Sequence, residues 1–278
     1  MGTASRSGSC LTPAVVARTR RLLEVERHYP WFLFTTLLPI LVLPGVNYSE
    51  GFVQRSLLPI VVDLVIVQAL RCLPYWERQG RPLRMDSSYR LFGLVSAIAI
   101  WVPTLMNGYF DNRPLRLIVL VILSGFNLFT AVRIIHVLSN SRQVNARTLS
   151  LAAAGYAHLG VTGGWLATTL QLLDPGSFRM GAIHQGEQLL ERLTYYSFIT
   201  IGTLGYGDVL PGNARGERFA VLLSLSGTLY LTLLMGLLLS RFIHSEGGKL
   251  LEAKQDVEAE QERDGQRGIA GSESFDER

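Results

Sequence analysis

Six long stretches of this chain are almost free of charged side chains. Five contain no Asp, Glu, Lys or Arg, and the other is interrupted only by Asp63. The stretches are 31–48, 56–70, 91–110, 117–132, 148–173 and 219–240. A helix needs about 20 apolar residues to cross a bilayer, with a tolerance of several residues. We therefore predict an all-α membrane protein with six transmembrane helices.

A soluble protein with six buried helices is the alternative interpretation. Helices at the surface of a soluble core carry a polar face, and these stretches have none. Charged residues make up 17% of the chain, against about 25% in an average soluble domain. The scarcity of charged residues and the lack of polar helix faces favour a membrane protein over a soluble one.

The arginines of the connecting segments predict the orientation. Residues 1–30 contain five arginines, the second connection contains five, and the fourth contains three. The first connection has one and the third has two. Positive charge accumulates on the cytoplasmic side, so we expect a multi-pass protein of the cell (plasma) membrane with both termini in the cytoplasm.

The interval between the fifth and sixth stretches contains a second kind of apolar segment. Residues 193–207 carry no charge, yet they are too few to cross the membrane and return. A helix from about Glu187 to Ile201 would descend roughly 20 Å. Six extended residues after it would climb about the same distance. We predict a re-entrant segment, which is tolerated where the backbone lines a water-filled cavity or is buried in protein.

The return of this segment holds the most informative motif. It reads Thr203-Leu204-Gly205-Tyr206-Gly207-Asp208. The hexapeptide resembles the selectivity filter of potassium channels. With its neighbours, it is similar to the pore of six-transmembrane-type prokaryotic potassium channels of the voltage-gated-like superfamily. That resemblance implies a passive, potassium-selective homotetramer whose permeant ion is K⁺, without an enzymatic reaction.

Backbone chemistry agrees with this resemblance. Carbonyl oxygens of Thr203, Leu204, Gly205, Tyr206 and Gly207 would replace the water around K⁺, and the Thr203 hydroxyl would add to them. Carbonyls that face one axis need alternating backbone conformations, some with positive φ, which glycine adopts without penalty. Asp208 would then lie at the outer mouth, where concentrating cations, hydrogen-bonding behind the filter, or both are the roles that the sequence leaves open.

The resemblance also implies roles for residues around the filter. Tyr195 and Tyr196 would form an aromatic cuff, with lipid-interface anchoring as the alternative. Gly202 stands where the family usually has threonine, and we expect it to loosen the junction between helix and filter. Some relatives carry a glutamate at the position of Ile199, so an acidic partner for Asp208 is missing.

Two glycines of the sixth stretch are candidates for an inner-helix hinge. Gly227, twenty residues after Gly207, resembles the family's hinge glycine, and Gly236 is a second candidate. Close helix packing by a small residue is the alternative for Gly227.

The fourth stretch lacks the pattern of a voltage sensor. Sensors carry several gating charges in this helix, whereas here Arg116 and Arg133 flank an uncharged run. We therefore expect weak voltage gating from a degenerate sensor. Asp63 is expected to pair with Arg116 or Arg113, although an intramembrane carboxylate is a functional candidate by default. His158 is expected to be a packing residue.

These observations predict four parts of the chain. Residues 1–30 form a cytoplasmic segment, 31–146 a four-helix sensor-like domain and 147–244 the pore domain. Residues 245–278 form a cytoplasmic tail, helical from Leu250 to Glu262 and then disordered. Expected partners are three further copies of the chain, membrane lipids and potassium ions, with no nucleic acid. A non-selective cation channel, a potassium-uptake transporter subunit and a non-conducting regulatory subunit are the alternatives.

Overall fold

The structure, a computed structural model, describes most of the chain from residue 27 to residue 236. The described residues are 27–42, 52–73, 77–78, 81–82, 85–105, 113–140, 145–181, 189–236, 239–240, 243, 247 and 254–255. Within these ranges the chain forms seven α-helices: α1 (Tyr29–Val42), α2 (Phe52–Cys72), α3 (Met85–Leu105), α4 (Arg113–Asn140), α5 (Ala146–Leu173), α6 (Leu189–Ile201) and α7 (Ala214–Leu229). A π-helical segment, Tyr230–Met235, continues α7.

Each predicted apolar stretch overlaps one of the helices α1 to α5 or α7. Residues 43–48 and 106–110, which end the first and third stretches, lie outside the described residues. Among the described helices, two segments are long and apolar enough to cross a bilayer, Ser87–Leu105 and Pro114–Ser139. Helix α1 is apolar but spans only 14 residues. The predicted tail helix lies outside the described residues except at positions 254–255, which are helical.

The outward faces of the helices carry large apolar side chains. On α2 the exposed residues recur at helical spacing: Leu57, Ile60, Leu64 and Val67. Helix α4 has an exposed set of the same kind: Ile118, Val121, Leu128, Val132 and Ile135. Apolar area on this scale is unfavourable in water and marks a surface that another apolar phase covers. A lipid environment accounts for it, which supports a membrane protein.

Helices α1 to α4 pack in chain order, and both α1 and α4 also pack against α5. Helix α5 begins at an N-cap, where the Asn145 side chain accepts a hydrogen bond from the Thr148 backbone N–H. Its opposite face contacts α6. Helix α5 therefore lies between α1 and α4 on one side and α6 on the other.

Glycines give α5 a face against which other helices pack closely. A Cβ at Gly164 would lie 2.7 Å from the Thr194 Cα of α6, and one at Gly163 would lie 2.7 Å from a Leu223 methyl of α7. Small residues let helix backbones approach each other where lipid provides no hydrophobic drive. This close approach fixes α6 beside α5.

Two short antiparallel hairpin-like pairs complete the described fold. Strands β1 (Glu77–Arg78) and β2 (Arg81–Pro82) pair between α2 and α3, with Arg78 opposite Arg81. Strand β3 (Phe178–Met180) pairs with β4 (Val209–Pro211), with Arg179 opposite Leu210. Because β4 directly follows Asp208, the second pair anchors the chain as it leaves the hexapeptide.

Candidate functional site

Helix α6 leads into the hexapeptide and is held by its buried face. That face consists of Leu193, Thr194, Tyr196, Ser197, Ile199 and Ile201. Its last residue, Ile201, is the predicted end of the re-entrant helix, and the predicted start at Glu187 lies outside the described residues. The apolar core around it also contains residues of α5, β3, β4 and α7. The hexapeptide therefore begins at a fixed point of the fold.

A hydrogen-bonded cap ends α6 at the start of the hexapeptide. The Leu204 N–H donates to the Ile199 carbonyl at 2.9 Å, and the Thr203 N–H donates to the Thr200 carbonyl at 3.1 Å. This is the pattern of a Schellman motif. The Gly205 N–H also donates to the Ile199 carbonyl, at 3.2 Å. The Ile199 carbonyl thus accepts two hydrogen bonds that fix the first half of the hexapeptide.

The cap places a threonine where glycine is usual. Thr203 has a φ of 58°, a left-handed conformation that is an outlier for a β-branched residue. The neighbouring Gly202 does not have a positive φ, and its N–H donates to the Phe198 carbonyl at 2.9 Å. The backbone strain at this junction is therefore carried by Thr203 and not by Gly202. The expected loosening by Gly202 stays a prediction.

Positive φ recurs at every second residue of the hexapeptide. Thr203, Gly205 and Gly207 have φ values of 58°, 54° and 80°. A Cβ built on Gly205 or Gly207 would meet nothing within 4 Å, so conformation rather than space favours glycine there. Alternating left-handed residues are what a row of carbonyls facing one axis requires.

The intervening side chains, Leu204 and Tyr206, point away from the core of the chain. Leu204 is 61% exposed and Tyr206 is 69% exposed within the chain. The segment is therefore held mainly at its two ends, by the α6 cap and by β4. Its sides are available to neighbouring molecules.

Asp208, at the C-terminal end of the hexapeptide, has a basic partner on α6. The carboxylate lies 3.5 Å from the Arg192 guanidinium, with the side chains 34% and 28% exposed respectively. The Tyr195 side chain also lies near Asp208. Sequence reasoning looked for an acidic partner near Ile199 and missed Arg192. The available signal was that Arg192 lies three residues before Tyr195, on the same face of the helix.

The two tyrosines of the predicted cuff face different surroundings. Tyr195 is 37% exposed and lies beneath the Arg192 guanidinium, 5.7 Å from the ring centroid. Tyr196 is 4% exposed and packs edge-on against Phe178 of β3, with ring centroids 5.2 Å apart. Within the chain, Tyr195 is thus directed to Arg192 and the end of the hexapeptide at Asp208, and Tyr196 is directed to the core. A contact of either with the filter tyrosine stays a prediction.

Gly227 of α7 packs closely against Ile201 of α6. A Cβ at Gly227 would stand 2.7 Å from Ile201 Cβ and 2.8 Å from Ile201 Cα. The helix irregularity begins three residues later, at Tyr230, whose hydroxyl donates to the Ala152 carbonyl at 2.6 Å. Gly236 has nothing within 4 Å of a built Cβ. These contacts favour packing for Gly227, and the hinge stays a prediction.

Asp63 receives a hydrogen bond from a residue that sequence reasoning missed. The Trp101 Nε1–H of α3 donates to Asp63 Oδ2 at 2.7 Å. An indole N–H inside an apolar layer needs an acceptor, which was the available signal. Arg116 is exposed in the first turn of α4, and its pairing with Asp63 stays a prediction.

His158 of α5 is buried where this helix packs against α1 and α4. It is 1% exposed, its Nε2 lies 3.2 Å from the Asn127 carbonyl, and its ring lies 6.3 Å from Phe32. These surroundings fit the expected packing residue.

Comparison with known proteins gives one match, which covers the hexapeptide. Residues 166–244 match the family described as "Ion channel". Neither the curated proteins nor the solved structures gave a match. The matched region contains the C-terminal part of α5, all of α6, the hexapeptide, β4 and α7. It supports an ion channel family and, together with the exposed apolar helix faces, a membrane protein.

Proposed function

We propose that this protein is a potassium-selective channel that conducts K⁺ passively across the cell membrane. The carrying observation is positive φ at Thr203, Gly205 and Gly207, directly after a capped helix. Backbone carbonyls of residues 203–207 and the Thr203 hydroxyl would take the place of the ion's water shell. The mechanism needs no group with a shifted protonation state.

The proposal includes a homotetramer with six spans in each chain. One chain supplies one filter strand, and four strands surround an ion. The exposed apolar residues of α7 provide surface for contacts between subunits: Val221, Leu222, Leu225 and Leu229. A closed ring also agrees with the preference of oligomers for cyclic symmetry.

Ion selectivity is tested by reconstituting the protein in planar bilayers. With a tenfold potassium gradient balanced by sodium, we expect current to reverse near the potassium equilibrium potential, about 59 mV from zero. The reason is that the carbonyl row replaces the hydration shell of K⁺ better than that of Na⁺. Reversal near zero would instead indicate a non-selective cation channel.

Assembly is tested by chemical cross-linking in mild detergent. We expect the ladder of products to end at four subunits, because one chain contributes a quarter of the filter. A truncation before residue 250 serves as the control for the tail and should weaken the tetramer without eliminating it. A ladder that stops at two subunits would contradict the proposal.

Weak voltage dependence is the third expected result. Moving one charge through the membrane field is worth about 2.3 kcal/mol per 100 mV, and steep sensors move roughly three to four charges per subunit. Here Arg133 is 4% exposed and stacks on Tyr89, 4.2 Å from the ring centroid, which ties this charge to α3. We expect less than about one charge per subunit to move.

The measurement is open probability against voltage in symmetric potassium. A flat or shallow curve agrees with a structural role for α1 to α4. A steep sigmoid with about twelve gating charges per tetramer would contradict it.

A further inference from the structure

The hexapeptide is held at two ends with little support between them. At the inner end, Leu204 and Gly205 N–H groups donate to the Ile199 carbonyl. Beyond them, Gly207 has a φ of 80° and no neighbour within 4 Å of a built Cβ. The outer end must therefore be positioned by the residues that come after Gly207.

Two attachments lie beyond Gly207 within the protomer. Strand β4 begins at Val209, which is 2% exposed and pairs with Met180. Asp208 lies between this strand and the last filter carbonyl, and its carboxylate faces Arg192 and Tyr195 of α6. The side chain of Asp208 thus links the outer end of the filter back to the helix that begins it.

Arg192 is suited to this link by charge and by position. It lies one helical turn before Tyr195, so both reach the same side of Asp208. Its guanidinium lies over the Tyr195 ring, which restricts the orientation of both side chains. A planar guanidinium with several donors orients a carboxylate better than an ammonium group does.

We propose that Arg192 is a positioning residue that holds Asp208 and thereby stabilises the conducting arrangement of the filter. This inference rests on the proposed potassium channel. Arg192 contacts Asp208 behind the pore mouth, so its role is separate from ion coordination. Loss of the pair would let the Gly207–Asp208 segment leave the conducting arrangement more often.

The test is a double-mutant cycle on the full-length channel with Arg192→Gln, Asp208→Asn and the combined variant. We expect Arg192→Gln to shorten the mean open time in bilayers by about two- to fivefold, the size expected for a partly exposed ion pair. The combined variant should lose little more than either single variant. Arg192→Lys should recover much of the open time because it keeps the charge.

Arg215→Gln is the matched control. It removes an arginine from another ion pair, Arg215–Asp174 at 3.1 Å, which lies at the α5 and α7 ends rather than at Asp208. It should leave the open time unchanged. If Arg192 had a purely structural role, the shortening of the open time by Arg192→Gln would not depend on the potassium concentration. We expect raised external K⁺ to lessen it, because bound K⁺ favours the conducting filter by mass action.

Melting of the purified tetramer measures the same coupling without current. Additive effects of Arg192→Gln and Asp208→Asn on the melting temperature would contradict an interaction between Arg192 and Asp208. Coupled melting with an unchanged open time would overturn the positioning role. Should Arg192→Gln fail to assemble, Arg192→Asp is compared with the exchange Arg192→Asp/Asp208→Arg, and no recovery by the exchange would overturn the proposal. A wild-type protein without potassium-selective current would overturn the proposed function and this inference with it.

Discussion

Replacing Gly205 with alanine should abolish potassium-selective current while leaving the rest of the protomer folded. Gly205 has a φ of 54°, and a Cβ in the left-handed region costs about 1–2 kcal/mol per residue. A tetramer repeats that cost in four strands, for a total of about 4–8 kcal/mol. The strands escape it by moving to negative φ, which turns a carbonyl away from the ion path.

Steric crowding does not explain the expected loss. A Cβ at Gly205 meets nothing within 4 Å among the described residues of the chain. The effect therefore comes from the backbone conformation, and it should appear in single-channel conductance and in the reversal potential between potassium and sodium. Circular dichroism and tetramer yield should stay close to those of the wild type.

Two other glycines serve as controls that distinguish the effect of positive φ from the effect of lying in the hexapeptide. Gly181 has nothing within 4 Å of a built Cβ and no positive φ, so Gly181→Ala should be neutral. Gly176 has a φ of 101° but lies in the turn after α5, so Gly176→Ala should lower the melting temperature and keep selectivity. A Gly205→Ala channel that still selects potassium at normal conductance would contradict the carbonyl mechanism.

The helices were predictable because charge is so costly inside a membrane that uncharged runs mark them. The end of α6 at Ile201 and the alternation of conformations after it were predictable from the same segment. Thr203 was different, since a β-branched residue in a left-handed cap contradicts local preference. Only the hydrogen bonds to Ile199 and Thr200 show why it adopts that conformation.

Contacts between residues that are distant in the sequence could not be predicted from the pattern of apolar and charged residues. Arg192 and Asp208 lie sixteen residues apart in the sequence and meet only in the folded chain. Strands β3 and β4 have three residues each, too few to show an alternating pattern. Trp101 reaches Asp63 through the packing of α3 on α2. In each case the partner depends on tertiary geometry rather than on local sequence.

Replacing Gly227 with alanine should separate helix α7 from the end of α6. The new Cβ would lie 2.8 Å from both the Cα and the carbonyl oxygen of Ile201. Backbone atoms cannot rotate away as a side-chain end can, so the helices must shift. Overpacking of this kind costs about 1–3 kcal/mol in each chain.

The shift would reach the hexapeptide because Ile201 lies two residues before Thr203. Ile201 is fully buried, and its carbonyl also accepts a hydrogen bond from the Tyr156 hydroxyl at 3.2 Å. We therefore expect Gly227→Ala to lower the tetramer's melting temperature and to reduce single-channel conductance together. Shortening Ile201 to alanine should not rescue the variant, because two of the three nearest atoms belong to the backbone.

Gly236→Ala is the matched control on the continuation of the same helix. A Cβ there meets nothing within 4 Å, and alanine is favoured over glycine in a helix by about 0.5–1 kcal/mol. That variant should be as stable as the wild type or slightly more stable. A hinge at Gly227 predicts a different result for Gly227→Ala, namely normal melting and normal conductance with slower opening. That combination would show that bending, rather than the contact with Ile201, accounts for the glycine at this position.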